Sequence, residues 1–196
     1  MVQTGVLMDY SVEQGWLVPA HRVPSPNCDE RPAGCAVDLL VVHGISLPPR
    51  EYGRRWIDAL FTNTLDPQAH PYFGEIHGRR VSAHVLIGRD GFVTQYVPFD
   101  RRAWHAGVSS FKGRAACNDF SIGIELEGSD DDPYEAVQYE QLAAIARALM
   151  LCYPGITRGH IVGHSDIAPG RKTDPGPHFD WNRLYTLLDR AEQRLA

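Results

Sequence analysis

Hydrophobic and polar positions repeat with two different periods along the chain, and each period predicts a type of element. Residues 38–43 are apolar on both faces, as in a buried central strand that ends at His43. Residues 81–87 and 92–97 flank a Gly-Arg-Asp-Gly turn, which predicts a β-hairpin. Residues 121–128 alternate strictly and predict a further strand. Its apolar face comprises Ile122, Ile124 and Leu126, and its other face Ser121, Gly123, Glu125 and Glu127.

Helical periodicity dominates the last third of the chain. We expect one helix to begin between Asp132 and Glu135 and to end near Pro154, and a second helix to be capped by Asp180. Residues 161–163 predict a short last strand. Repeats and linkers are absent from the sequence, so we predict a single domain over residues 1–196. The apolar stripes of the two helices are Tyr139, Leu142, Ala143, Ala146, Leu149, Met150 and Tyr153, and Trp181, Leu184, Leu187, Leu188, Ala191 and Leu195.

Two segments depart from these patterns. Residues 1–36 contain four spaced prolines and are predicted to form an irregular lead-in. Residues 45–80 form a long insertion between strands, with a short helix around Trp56 and a loop over residues 66–73. Insertions of this length are usually functional or disordered, and the aromatic content of this one favours a wall beside a site.

Composition narrows the class of protein. The chain has 196 residues, of which 43% are hydrophobic and 22% charged, as in ordinary soluble globular proteins. The net charge of -5 with scattered basic residues argues against a nucleic-acid partner, and no apolar run approaches the ~20 residues that span a bilayer. Residues 1–16 lack the features of a secretory signal, so we expect a cytoplasmic location. Four cysteines without paired spacing are expected to be free thiols.

The densest candidate chemistry lies in residues 163–176. This segment contains His164, Lys172 and Asp174, and Pro169 and Pro175 prevent a helix or a central strand from running through it. If the chain is extended here, Lys172 and Asp174 face the same side. The alternative is a surface loop with salt bridges.

Two imidazoles and a carboxylate, supplied by His43, His164 and Asp174, form a common catalytic zinc set. Such a zinc would lower the pKa of its bound water towards ~7 and polarise a carbonyl. Glu125 and Lys172 have the chemistry of a base and of an oxyanion stabiliser, and Gly123 leaves room for a close approach beside Glu125. Taken singly, each of these residues is better explained by a structural role.

Longer motifs carry a resemblance that the single residues do not. Residues 40–43, 81–84, 102–107, 118–128 and 163–176 together resemble the zinc N-acetylmuramoyl-L-alanine amidases, which are related to peptidoglycan recognition proteins. The similarity is closer still to the AmpD-type 1,6-anhydro-N-acetylmuramyl-L-alanine amidases. It extends from about residue 15 to residue 181. The motifs behind this narrower match are residues 22–27, 45–49, 66–67, 70–73, 117–120 and 172–176.

The resemblance implies an α/β fold with a mixed central β-sheet flanked by α-helices. It also implies zinc held by His43, His164 and Asp174, Glu125 as the residue that orients or deprotonates water, and Lys172 as the oxyanion stabiliser. The implied substrate is a muropeptide, cut between the lactyl group of anhydro-N-acetylmuramic acid and L-alanine during cytoplasmic cell-wall recycling. We expect a monomer. The residues expected to line the substrate groove are Arg80, His84, Trp104 and His105.

The sequence departs from the family pattern at three positions. Gly44 stands where relatives usually carry Asn, which removes an amide next to the first ligand. Ser165 replaces a common Cys and Gly170 a common Glu. Neither is a proposed ligand, so metal binding is expected to survive, although Gly170 adds backbone freedom to the loop that presents Lys172.

Three rival functions remain open at this stage. The chain could be a peptidoglycan-binding module without catalysis, an amidase acting on the intact wall, or a regulatory scaffold that sequesters muropeptides. A complete set of ligand positions counts against the first. Release of free peptide, lost on chelation, would separate an enzyme from both non-catalytic alternatives.

Overall fold

The structure, a computed structural model, describes residues 9–192. Short strands open the chain, and the longest strands and helix follow in its centre. The strands are β1 (Ser11–Glu13), β2 (Trp16–Val18), β3 (His21–Arg22), β4 (Cys28–Glu30), β5 (Leu39–Ile45), β6 (Val85–Ile87), β7 (Val93–Gln95), β8 (Arg101–Ala103), β9 (Ser110–Phe111), β10 (Arg114–Ala115), β11 (Ser121–Glu127) and β12 (Ile161–Gly163). The α-helices are α1 (Arg54–Phe61), α2 (Pro71–Ile76), α3 (Ala136–Cys152), α4 (His164–Ile167) and α5 (Trp181–Glu192).

A mixed sheet of six strands lies at the centre, in the order β12-β5-β11-β6-β7-β3. Strands β12, β5, β11 and β6 run parallel to one another, β7 runs antiparallel to β6, and β3 runs parallel to β7. The predicted mixed sheet with flanking helices is therefore confirmed. The predicted hairpin is also confirmed, with Leu86 opposite Thr94. It is shorter than predicted: the His84 carbonyl still accepts from the Tyr96 N–H across the hairpin, but the N–H groups of Ser82 and His84 donate to the carbonyls of Trp104 and Gly123.

The two faces of the sheet are covered differently. On one face, alternate residues of β5 and β11 pack against α3 and α5 in the largest hydrophobic cluster. On the other face, Leu39 and Val41 belong to a smaller cluster with Phe120 and Ile167. Helices α1 and α2 pack in a third cluster, which contains Leu86. The first face carries the core, and the second is left partly to polar side chains.

The two predicted helices are confirmed, and their ends lie close to the predicted positions. The α3 helix begins after Glu135, whose backbone N–H donates to Gln138 Oε1 at 2.9 Å. The α5 helix begins after Asp180, whose Oδ1 accepts from the Arg183 N–H at 2.9 Å. Of the predicted α5 stripe, Leu195 and the side chain of Ala191 lie outside what the structure describes.

Three local predictions were wrong. The lead-in holds β1 to β4, since strands this short fit between its prolines. Residues 71–73 are helical, because Pro71 at the first position of α2 needs no hydrogen-bond acceptor and His70 Nδ1 accepts from the Tyr72 N–H at 3.2 Å.

The third wrong prediction concerns the end of β5, which continues to Ile45, two residues past its predicted end at His43. It does so because its pairing with β11 continues through Ile45, whereas β12 ends at Gly163, opposite Val42. His43 thus lies where β5 loses one neighbour. Within residues 9–192, no helix is both long enough and apolar enough to cross a membrane.

Candidate metal centre

The end of β12 brings three candidate ligands together. His43 lies in β5, His164 is the first residue of α4 directly after β12, and Asp174 follows α4 in a loop. His43 Nδ1 is 3.0 Å from His164 Nδ1 and 3.2 Å from Asp174 Oδ2, and His164 Nδ1 is 3.0 Å from the same oxygen. Ligand atoms bound to a tetrahedral zinc at ~2.0–2.1 Å lie about 3.3 Å apart. The three atoms therefore have nearly the spacing that one small cation requires.

The electrostatics of the three groups also fit a cation. His164 Nε2 lies 3.2 Å from the Ala106 carbonyl, which can only accept, and a hydrogen placed on Nε2 for that bond leaves Nδ1 to face the centre. Burial lowers the pKa of His43 to about 4 and keeps that ring neutral. Burial alone would raise the pKa of Asp174, but contacts with His164 and His43 outweigh it and hold the pKa below its ordinary value. An ionised carboxylate and neutral imidazoles are the protonation states that bind metal.

The loop that carries Asp174 is held from two sides. The Ser165 N–H donates to the Asp174 carbonyl at 3.0 Å, and Tyr134 Oη donates to the Pro175 carbonyl at 2.9 Å. A Cβ at Gly44 would lie 2.2 Å from Tyr134 Oη, so a side chain there requires this hydroxyl to move. The departure at Gly44 therefore bears on the support of Asp174. Gly170 has a φ of +76°, which glycine adopts without strain.

Glu125 lies beside His43, because the two residues are paired in the parallel ladder of β11 and β5. It is only 9% exposed, and its Oε2 atom has no hydrogen-bond partner among the described residues. Burial raises the pKa of Glu125 well above its ordinary value, the charge of Asp174 raises it further, and Lys172 opposes both. A carboxyl group with a pKa raised in this way is suited to taking up a proton near neutral pH.

These groups form one end of an open cavity. Lys172 and Asp174 both border it, as do the histidine pair and Glu125. The other end is mainly apolar and includes residues supplied by the 45–80 segment, with the exposed Arg79 among them. The residues of that end are Leu47, Leu60, Phe61, Tyr72, Ile76, Arg79 and Val81.

Of the four residues predicted to line the groove, two border the cavity and two do not. Trp104 and His105 border the cavity. Arg80 is exposed but does not border it, and its neighbour Arg79 does. His84 is fully buried away from the cavity, where its Nδ1 accepts from the Gly123 N–H at 3.0 Å and its Nε2 lies 3.1 Å from the Arg101 carbonyl. His84 therefore supports the sheet because its polar atoms are satisfied by backbone groups.

Gly123 leaves space beside β11, as its position in the sequence predicted, and the His105 side chain occupies that space. A Cβ at position 123 would lie 2.5 Å from the His105 ring, so the ring can lie against β11 only because residue 123 has no side chain.

Two residues of the lead-in that the sequence did not point to hold distant segments of the chain in place. Asp29 forms a two-pronged ion pair with Arg102, at 2.7 and 2.6 Å, and accepts from the Trp104 indole N–H at 3.2 Å. The Arg31 guanidinium donates to the backbone carbonyls of Phe99, Asn118, Asp119 and Ser121. No local pattern marks either residue, because their partners lie far along the chain.

The sequence and the fold match known proteins over most of the chain. Residues 33–177 match the N-acetylmuramoyl-L-alanine amidase family. The 1,6-anhydro-N-acetylmuramyl-L-alanine amidase AmpD of Escherichia coli strain K12 is 64% identical over 91% of this chain and 97% of its own. A crystal structure of a selenomethionine AmpD derivative superposes with a TM-score of 0.88 at 62% identity, covering 90% of this chain and 98% of that one.

A more distant structure contains a ligand. AmpDh3 from Pseudomonas aeruginosa, in complex with anhydromuramic pentapeptide, gives a TM-score of 0.60 at 34% identity, over 80% of this chain and 61% of its own. Together with the family match over residues 33–177, these similarities identify the chain as a member of the N-acetylmuramoyl-L-alanine amidase family.

Proposed function

We propose that the chain is a zinc-dependent amidase that hydrolyses the amide between the lactyl group of 1,6-anhydro-N-acetylmuramic acid and L-alanine of the stem peptide, in the recycling of cell-wall fragments. The observation that carries this proposal is the meeting of His43, His164 and Asp174 beside the buried carboxyl group of Glu125, whose Oε2 atom has no hydrogen-bond partner within residues 9–192. The relative from Escherichia coli, which bears the name of this activity, matches 91% of the chain.

His43 Nδ1, His164 Nδ1 and Asp174 Oδ2 would hold the zinc, because the distances between these three atoms fit one cation. When bound, zinc supplies polarisation of the scissile carbonyl and acidifies water. The second nitrogen of His164 donates to Ala106, which keeps the ring in a fixed orientation.

Glu125 is proposed to move the proton. Its Oε2 atom, which has no partner in the part of the chain that the structure describes, can accept a proton from the attacking water and then deliver it to the leaving nitrogen of L-alanine. The Lys172 ammonium group borders the same cavity and would stabilise the negative charge that develops on the carbonyl oxygen.

The cavity suits an acidic peptide joined to a sugar. Trp104 offers an aromatic face, held by the hydrogen bond from its indole to Asp29. Arg79 and Lys172 place two cations on the lining, while its acidic members, Glu125 and Asp174, lie at the metal end. Stem peptides carry carboxylates, which these cations can pair with.

Hydrolysis of a purified anhydro-muropeptide tests the proposal. We expect release of free stem peptide, detected by mass spectrometry, and its loss both on chelation and in His164→Ala, which lacks a ligand. Binding of the muropeptide without cleavage by the zinc-loaded protein would favour a binding module and reject the proposed activity. Equal rates on anhydro and reducing-end muropeptides would remove the recycling assignment and leave an amidase. The cytoplasmic location and the monomeric state stay predictions, for cell fractionation and sedimentation to test.

A further inference from the structure

A line of hydrogen bonds leads from the first residue of β11 to the candidate metal centre. Ser121 Oγ lies 2.5 Å from the Cys117 carbonyl and 3.1 Å from His105 Nε2. The other nitrogen of that ring, His105 Nδ1, lies 2.9 Å from His43 Nε2. His43 then presents its Nδ1 atom to His164 and Asp174.

The direction of every bond follows from the carbonyl at its end. A carbonyl only accepts, so Ser121 must donate its single hydrogen to Cys117. The Ser121 oxygen is then left to accept from a hydrogen on His105 Nε2. The contact between His105 Nδ1 and His43 Nε2 holds one hydrogen, so a His105 ring that carries its hydrogen on Nε2 accepts at Nδ1 from His43 Nε2.

We propose that Ser121, acting through His105, sets the tautomer of His43 that offers a bare Nδ1 atom to zinc. This inference rests on the metal centre of the proposed function. Ser121 and His105 are positioning residues, since they act through His43. Without the Ser121 oxygen, His105 is free to carry its hydrogen on Nδ1 and direct it at His43 Nε2. His43 would then carry its own hydrogen on Nδ1, the atom that has to bind the metal.

The backbone next to His105 also orients His164, the second histidine ligand. Asn118 Oδ1 accepts from the backbone N–H groups of both His105 and Ala106, at 3.1 and 2.8 Å. The Ala106 carbonyl lies 3.2 Å from His164 Nε2. The His105–Ala106 peptide therefore orients one ligand through a side chain and the other through a carbonyl. This arrangement gives His105 a role in the support of the ligands, in addition to its place on the cavity lining.

Zinc affinity of the metal-free protein tests the inference without using turnover. In Ser121→Ala we expect zinc to bind about 10- to 100-fold more weakly in competition with a chelator, as is typical when support for a metal ligand is lost. Ser25→Ala is the matched control. Its hydroxyl is also buried and donates to a carbonyl, that of Phe61, but it bonds to no histidine among the described residues, so the zinc affinity of this variant should equal that of the wild type.

Histidine ¹⁵N NMR of the metal-free wild type gives a second test that needs no variant. We expect His105 and His43 both to carry hydrogen on Nε2, and Ser121→Ala to lose this preference at His105. A wild-type His105 with hydrogen on Nδ1, or a folded Ser121→Ala variant within about threefold of wild-type zinc affinity, would overturn the inference. A wild type that binds no zinc would instead overturn the proposed function.

Discussion

Neighbouring residues of β11 point to opposite sides of the central sheet, and the two sides differ in chemistry although all seven residues are buried. Ile122, Ile124 and Leu126 face α3 and α5 within the main core. Ser121, Gly123, Glu125 and Glu127 face the cavity and the loops around it.

On the apolar face, burial by itself is favourable, at roughly 25 cal/mol per Å². On the polar face, each buried group needs a partner, and two of the three polar side chains have one. Ser121 donates to Cys117, and Glu127 accepts from the backbone N–H groups of Gly53 and Arg89. Glu125 leaves one oxygen unpartnered among the described residues. Among the buried polar groups of β11, the one that lacks a hydrogen-bond partner among the described residues is therefore the one proposed to react.

Glu125→Gln should break this comparison most strongly. With zinc still bound, kcat should fall by about 10²- to 10⁴-fold, because the amide cannot accept the proton of the attacking water. Metal content and turnover of the purified variant measure the two effects. Normal turnover would show that another group is the base.

The same variant should also change how stability depends on pH. The folded protein raises the Glu125 pKa above its ordinary value of 4.5, so the folded state holds this proton more tightly than the unfolded state. The associated stability is present below pH 4.5 and is lost as pH rises through the folded pKa. In metal-free protein, thermal unfolding of Glu125→Gln should lack that loss.

Ile124→Ala tests the opposite face one residue away. Removing this fully buried side chain should lower the free energy of unfolding by about 2–5 kcal/mol, through lost burial and the cavity left behind. Zinc affinity of the folded protein should stay unchanged. Denaturant titration and chelator competition measure these quantities, and a large loss of zinc affinity would show that the two faces are not independent.

Glu127→Gln compares two carboxyl groups on one face. It should reduce the free energy of unfolding by about 1–3 kcal/mol, because an amide cannot accept both backbone N–H groups. Turnover per folded molecule should match the wild type. A loss of turnover like that of Glu125→Gln would mean that both carboxyl groups take part in catalysis.

The pH profile should show the smallest effect. In the zinc-loaded enzyme, kcat/KM should rise with pH as Glu125 loses its proton and becomes a base. Because the charge of Lys172 lowers the pKa of Glu125, Lys172→Met should move this rise to higher pH, besides lowering the rate. A rise that moves to lower pH would contradict the assignment of this limb to Glu125.

The sequence by itself determined which residues share a face. Strict alternation in residues 121–127 separated the apolar core positions from Glu125, and the three-to-four spacing of the α3 stripe placed that helix on the sheet. Motif resemblance then selected His43, His164 and Asp174 among nine histidines and many carboxylates. Local periodicity is visible in a single segment, because it depends only on the geometry of that segment.

Only the tertiary structure decided which groups meet. His43 and His164 are 121 positions apart, and their contact depends on β12 ending one residue before β5 reaches His43. The folded chain also places Arg79 rather than Arg80 on the cavity lining. It brings His105 into contact with His43 and buries His84 away from the cavity. Periodicity gives the face on which a side chain lies but not the distant segment that covers that face, so these pairings required the folded chain.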